Sequence, residues 1–388
     1  RIQYLHFISL TARCSTRISA GCKMFDQSIF TGLIVFVSSV LTCCVMIVLS
    51  KHVIINKRHD LHAIQAAHVA AVPRIGGLAI VFALFLSLVF QFSDAQQGNL
   101  SSKLLLSMVP IFFVGLSEDL GFLASPRMRI LAAAASGAIF MLLFGEWLPR
   151  ADFPGLDLAV QWAPLAIILS IFLTVGVSHA FNLIDGLNGL ASLTAISAAL
   201  ALATIANNSE LYAHRDMLIL LVAAIFGFLL LNFPFPKIFL GDAGAYSIGH
   251  MLAWISISIL WHADHVTPWA ILLIFFWPVA DTILAIARRL AKGRPIANPD
   301  RLHFHQLIMR AVEIIFLGRQ QRRISNPLAT VIMLPFIVTP MWAGVMLATD
   351  RMYAAITILV CTFLFITTYA TCLTIAKKMR NRRHRCMS

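Results

Sequence analysis

Apolar residues run along this chain in long unbroken stretches, with no alternation of apolar and polar positions. A run of about 20 apolar residues is long enough to cross the ~30 Å hydrocarbon core of a bilayer as a helix. Such runs occur near 28–50, 76–92, 103–117, 129–148, 158–180, 189–206, 216–233, 244–261, 267–287, 327–348 and 353–376. Inside lipid every backbone N–H and C=O needs a partner, which leaves helices or a closed barrel. Runs without a period of two select helices. The pattern predicts an all-α, polytopic integral membrane protein of about 10–11 transmembrane helices, the spans near 76 and 103 being the shortest.

Composition agrees. The 388 residues are 59% hydrophobic and 12% charged, with a mean hydropathy of +0.84. A soluble domain carries about 25% charged residues. The seven cysteines show no zinc-ligand or redox spacing and read as small apolar residues and thiols.

Assigning loops alternately to two sides separates the basic residues. One side takes Lys51, Lys57, Arg58, Arg74, Arg127, Lys237, nine Lys/Arg in 288–326 and six from 377 onward, whereas the other holds only Lys103, Arg150, Arg215 and Arg351. Excess Lys/Arg marks the cytoplasmic side. The net charge of +13 is therefore read mainly as a topology signal, with some capacity to attract phosphate, and nucleic acid is not an expected partner. Residues 1–23, basic on a side expected to be outside, read as an N-terminal extension. Residues 24–376 form the transmembrane unit, and 377–388 a basic cytoplasmic tail.

Five polar islands interrupt the apolar pattern, all on the basic side: "HVAAVPRIGG" (68–77), "GLSEDLGFLASPRMR" (115–129), "FNLIDGLNGLA" (181–191), "NFPFPKIFLGDAGAYSIG" (232–249) and "PDRLHFHQL" (299–307). Glu118, Asp119, Asp185 and Asp242 are carboxylates at helix ends. Hard oxygen ligands suit Mg²⁺ or Mn²⁺, which bind through one or two carboxylates plus substrate phosphates. Glycines 186, 189, 241 and 244 allow close backbone approach, and the helix N-termini that follow favour anions. His303 and His305 offer proton transfer or phosphate contacts. Each island alone is more often a cap, a turn or surface polarity; five on one face point to phosphoryl chemistry at a membrane surface. Asp281, inside the ninth run, is either a support for that site or a structural hydrogen-bonding group.

The stretches "PRIGG", "GLSEDLGFLASPRMRIL", "FNLIDGLNGLA", "KIFLGDAGAYSIG" and "NPDRLHFHQL" resemble, in order, the motifs of the polyprenyl-phosphate N-acetylhexosamine-1-phosphate transferases, over about residues 68 to 310. The resemblance implies a Mg²⁺-dependent (or Mn²⁺-dependent) enzyme of the bacterial inner membrane with its active site facing the cytoplasm. It implies that a UDP-N-acetylhexosamine reacts with undecaprenyl phosphate, releasing UMP, at the start of O-antigen, exopolysaccharide or related cell-envelope glycan synthesis. It also implies a homodimer.

Roles carry over by motif. Asp242 matches the metal-binding acid. Asp119 matches an acid acting at the lipid phosphate or the metal, with Glu118 beside it, and Asp185 an acid near the nucleotide. Asn232 and Phe239 match a uridine-binding amide and ring. His303 and His305 match the histidine motif near the diphosphate. Asn182, Asn188, Lys237, Arg301, His68 and Arg74 complete the expected substrate-binding set. Departures are Glu118 where Asp is usual, Asn188 for Asp, Gln306 for the second adjoining histidine, and Ala245 for Ser. They point to the O-antigen, capsule or exopolysaccharide subgroup. The rival readings are a transporter or flippase of polyprenyl-linked or anionic substrates, for which Asp281 alone is suitably placed, and an inactive scaffold homologue.

Overall fold

The computed structural model describes residues 29–50, 72–90, 95–122, 125–293, 302–317 and 321–387, and these are helices and connecting turns with no strand among them. In chain order they are α1 (Ile29–Ser50), α2 (Gly76–Phe90), α3 (Ala95–Asp119), α4 (Pro126–Phe144), the short α5 (Leu156–Val160), α6 (Ala163–Ile184), α7 (Leu190–Asn208), α8 (Tyr212–Asn232), α9 (Gly241–His262), α10 (Pro268–Ile274), α11 (Phe276–Ala291), α12 (Phe304–Val312), α13 (Arg322–Met346) and α14 (Arg351–Met387). A π-helical turn, Glu313–Leu317, follows α12.

Among the described residues nine helices are long and apolar enough to cross a membrane, α10 and α11 together make a tenth, and α2 is a shorter apolar helix of 15 residues. The protein is thus an all-α polytopic membrane protein, as the pattern of runs predicts. The runs locate the spans but not their ends. Helix α3 begins at Ala95, through the polar stretch Gln96–Lys103, because hydropathy marks the lipid-facing length and not the hydrogen-bonded length. The run expected at 267–287 is two helices bent by 78° at Phe275. Pro278 has no N–H to extend the α10 ladder to Ile274, so the helix breaks there. Helix α14 continues to Met387, through the segment expected to be a tail. The expected extension at 1–23 lies outside the described residues.

Local chemistry sets the boundaries that matter. Ser125 caps α4 by accepting from the Met128 N–H at 3.2 Å, with Pro126 at the first helical position, and Gly145 (φ 72°) ends the helix by donating to Met141 O at 2.8 Å.

Helix α9 is the axis of the bundle. Every residue from Ala243 to Leu260 is buried, against α2, α3 and α6 in particular. Small residues permit this closeness, as is common where membrane helices touch. Gly77 faces the Gly244 backbone, a Cβ on Gly115 would lie 2.6 Å from the Ala243 amide nitrogen, and one on Gly249 would lie 2.6 Å from Ser178 Cα. The N-terminal end of α9 therefore meets the C-terminal ends of α3 and α6 and the segment entering α2.

Candidate active site

At that junction the chain holds the first residues of α2 and α9 together through backbone bonds. Phe239 N–H donates to Pro73 O at 2.8 Å, Gly76 N–H to Phe239 O at 2.8 Å, and Gly77 N–H to Leu240 O at 2.7 Å. Gly241 starts α9 with φ 77°, and a Cβ there would strike the Asp119 carboxylate. Only glycine fits both the backbone angle and the space.

The two acids of the "ED" pair do different things. Asp119 is buried, and both its oxygens accept backbone amides at the start of α9, from Asp242 at 2.8 Å and Ala243 at 2.9 Å. It caps a helix that is remote in sequence and satisfies two of that helix's free N–H donors. Glu118 is half-buried, and the charges of Asp242 and Arg129 both act on it. Arg129 Nη1 stands 3.4 Å from Glu118 Oε1, while Glu118 Oε2 is buried without a hydrogen-bond donor.

Asp242 itself accepts from Asn182 Nδ2 at 2.8 Å, and Arg74 Nη2 is 3.5 Å away. Burial opposes the charge of Arg74, but Asp242, Asp119, Asp185 and Glu118 outweigh it and hold the guanidinium protonated above its ordinary range. Asp185 ends α6 one helical turn beyond Asn182. Burial pushes its carboxyl up to about 8, with Arg74 pulling down and Asp242 pushing further up.

The histidine motif joins this cluster. His303 Nδ1–H donates to Asp281 Oδ2 at 3.1 Å, and the Phe304 N–H donates to Asp281 Oδ1 at 3.1 Å. His305 Nδ1 is 3.8 Å from the same carboxylate, an ion-pair distance too long for a hydrogen bond. Of the two readings of Asp281, this places it as a support for the histidines. A carboxylate on Nδ1 fixes the His303 tautomer and leaves Nε2, buried and without a protein partner, as a proton acceptor. Burial lowers the His305 pKa, against the opposing pull of Asp281, so the ring is neutral at pH 7. Its Nε2 edge packs against Gly186, where a Cβ would lie 2.5 Å away. The "DG" turn and the "HFH" motif therefore meet.

Other expected residues are engaged within the fold. Asn232 is buried; its Oδ1 accepts from Gly189 N–H at 2.8 Å and its Nδ2 donates to Ile238 O at 2.9 Å. It ties the turn after α6 to the loop before α9. Asn188 donates through its backbone to Asn326 Oδ1 at 2.7 Å and through Nδ2 to Pro234 O at 3.0 Å, and its carbonyl accepts from Thr330. Its Oδ1 is buried and unpartnered. The Phe239 side chain is half-buried and Lys237 is exposed. His68 and Arg301 lie outside the described residues.

Sequence reasoning passed over Arg129, Tyr246 and His179. Tyr246 follows Asp242 by four residues and His179 precedes Asn182 by three, spacings that put each pair on one helix face. That periodicity was the available signal.

The cluster brings carboxylates, guanidinium groups and histidines to one end of the bundle. Four acids, Glu118, Asp119, Asp185 and Asp242, face two guanidinium groups, Arg74 and Arg129, so a diphosphate could enter only with added positive charge. Among the described residues no three carboxylate, imidazole or thiol groups form a ready-made metal cage. Such a donor set fits an ion that keeps open positions for substrate oxygens, as Mg²⁺ does.

Residues 101–260 match the family model described as "Glycosyl transferase family 4". Among curated proteins the chain is similar to the probable undecaprenyl-phosphate N-acetylglucosaminyl 1-phosphate transferase of Bacillus subtilis (strain 168), with 27% identity over 290 residues, 74% of this chain and 79% of that protein. It is 29% identical over 252 residues to the undecaprenyl-phosphate alpha-N-acetylglucosaminyl 1-phosphate transferase of Escherichia coli (strain K12), 63% of this chain and 67% of that one. The protein of the same name in Salmonella typhimurium is 28% identical over 297 residues, 74% and 78% of the two chains.

Proposed function

We propose, from the premise that the chain belongs to glycosyl transferase family 4, that it transfers N-acetylhexosamine 1-phosphate from a UDP-sugar to undecaprenyl phosphate and releases UMP. An oxygen of the lipid phosphate attacks the β-phosphorus of the sugar nucleotide. The bond from that phosphorus to the bridging oxygen breaks, and UMP leaves with it. Such chemistry needs mainly positioning and charge neutralisation.

The observation that carries the reading is the convergence of Asn182 and Arg74 on Asp242 at the start of α9, which Asp119 holds, with the Asp281-held His303 and with His305 packed on the Gly186 turn. Asp242 and Glu118 would hold Mg²⁺, which when bound screens the diphosphate and the charge on the leaving UMP. Asp119 fixes the start of α9 and hence Asp242. Asn182 and Arg74 hold the Asp242 carboxylate in place, and Arg74 adds positive charge toward phosphate. His303 and His305 offer ring nitrogens to the phosphate groups. Asp185 and the backbone of the 186–189 turn form the nucleotide side, which Asn232 braces. Asp281 is engaged with His303 and the α12 N-terminus, which removes the support that a transporter reading drew from it.

The excess of Lys/Arg in the loops at this end of the bundle supports a cytoplasmic orientation, on the side where UDP-sugars are available. Similarity to bacterial proteins supports an inner-membrane location, and the departures at Glu118 and Asn188 support a role in cell-envelope glycans such as O-antigen or exopolysaccharide. The test is incubation of the purified protein with undecaprenyl phosphate and a panel of UDP-N-acetylhexosamines, followed by mass analysis of the lipid. A lipid diphosphate carrying one particular sugar is expected. Unmodified lipid with every donor, from protein shown to be folded, would overturn the assignment.

A further inference from the structure

Helix α14 is exposed along most of its described length, yet Phe365 and Tyr369, one helical turn apart, are buried. Both face the histidine motif. Phe304, between His303 and His305, stacks on the Phe365 ring at 5.5 Å and has the Tyr369 ring 6.2 Å away, while the Trp277 ring of α11 meets it edge-on at 4.8 Å. The Tyr369 hydroxyl does more than pack. It accepts from Arg288 Nη1 at 2.7 Å and donates to Leu302 O at 3.1 Å, so its proton and a lone pair are both used. The Arg288 guanidinium also lies 5.7 Å from the centre of the Tyr369 ring. Leu302 is the residue before His303, and Arg288 follows Asp281 on α11 by about two helical turns, on the same face. Helix α11 therefore grips the motif twice. Asp281 holds His303 Nδ1 and the Phe304 N–H directly, and Arg288 acts through Tyr369 on the carbonyl just upstream.

We propose that Tyr369 is a positioning residue for the histidine motif, its hydroxyl, oriented by Arg288, fixing the backbone that enters α12 and with it the His303 ring. The proposal rests on the transferase reading above. Asp281 holds the ring and the first amide of α12 through a single carboxylate, and a single carboxylate is a pivot. A second hold on the Leu302 carbonyl removes that freedom, and the aromatic contacts of Phe304 close the remaining side. His303 Nε2, buried and without a protein partner, then keeps one direction, as a group that must meet a phosphate needs to. Helix α14 carries none of the five polar islands, and this contact gives it a part in the site without touching substrate.

The test is Tyr369→Phe in the full-length protein, read in two ways. The substitution keeps the ring and its contact with Phe304 and removes only the hydroxyl. With the UDP-sugar that the donor panel selects, kcat is expected to fall about tenfold, while KM stays within about twofold of wild type. Amide hydrogen exchange, followed by mass spectrometry without substrate, is expected to quicken about tenfold in the peptide 303–309 and to keep wild-type rates in α6 and α9. Arg288→Met leaves the hydroxyl without its donor and should move both readouts in the same direction. Wild-type kcat or wild-type exchange at 303–309 in the Tyr369→Phe protein would overturn the proposal. So would faster exchange throughout the bundle, the mark of a general loss of stability. A wild-type protein without turnover would instead defeat the transferase reading, and the exchange rates would still decide whether Tyr369 holds the motif.

Discussion

The two ends of α9 are both polar, yet they are built differently. At the His262 end, Arg150 donates to the carbonyls of Leu260 (3.0 Å), Ala263 (3.0 Å) and Val266, and pairs with Asp152 and Asp264. Thr267 donates to Asp152 at 2.6 Å, and His214 contacts Ser258 at 2.8 Å. One arginine closes a loop on itself, and although Glu146 keeps one unpartnered oxygen, its other contacts are His262 and Ser258. At the Asp242 end, acids face acids. Glu118 Oε2, His303 Nε2 and His179 Nε2 are buried with no partner in the protein. A buried polar group without a partner costs about 1–3 kcal/mol. On the proposed function, a bound substrate would relieve that cost at the Asp242 end, whereas the groups at the His262 end mostly satisfy one another.

Asp242→Asn gives the sharpest test of that contrast. It keeps the Asn182 and Arg74 contacts within reach and removes the charge, so turnover is expected to fall by about 10³-fold or more, with an unchanged circular dichroism spectrum and thermal midpoint. Asp281→Asn comes next. It loosens His303 and the start of α12 without touching substrate, and kcat is expected to drop about 10–100-fold, seen in steady-state assays at saturating substrate. Asp119→Ala should behave in the opposite way to Asp242→Asn. It uncaps α9, so thermal unfolding should show a loss of about 1–3 kcal/mol, with activity falling as a consequence of displaced Asp242.

Smaller effects separate the ends further. The raised carboxyl of Asp185 makes the folded state hold a proton that the unfolded chain gives up near pH 4. Stability from this group is therefore present below about pH 4 and lost progressively as pH rises to about 8. Asp185→Asn should raise the melting temperature of the ligand-free protein, by an amount that grows from about pH 4 to about pH 8 and then levels off. At the opposite end, Arg150→Met should destabilise by about 1–3 kcal/mol and leave kcat per folded molecule unchanged. A loss of kcat there with Mg²⁺ response intact would erase the distinction between the ends.

Much of this was legible in the sequence. Apolar runs locate the spans because lipid demands continuous apolar helix, and the five islands stand out because polar residues at helix ends need a reason. What the sequence hides is which polar atom meets which. Asp119 and Glu118 are neighbours in one motif, but the first faces backbone amides of α9 and the second pairs with Arg129. Asn232 has both ends of its amide tied to backbone groups, which no spacing reveals. Asp281 is 22 residues from His303, yet the two meet at 3.1 Å, which no spacing reveals.

UMP release is the most direct measure of the central claim. Wild-type protein in detergent, supplied with undecaprenyl phosphate and a UDP-N-acetylhexosamine, should release UMP with Mg²⁺ present, release none with a chelator, and release none as the Asp242→Asn variant. Release that is indifferent to the chelator and to Asp242, or no release by folded wild-type protein with any donor, would contradict the account.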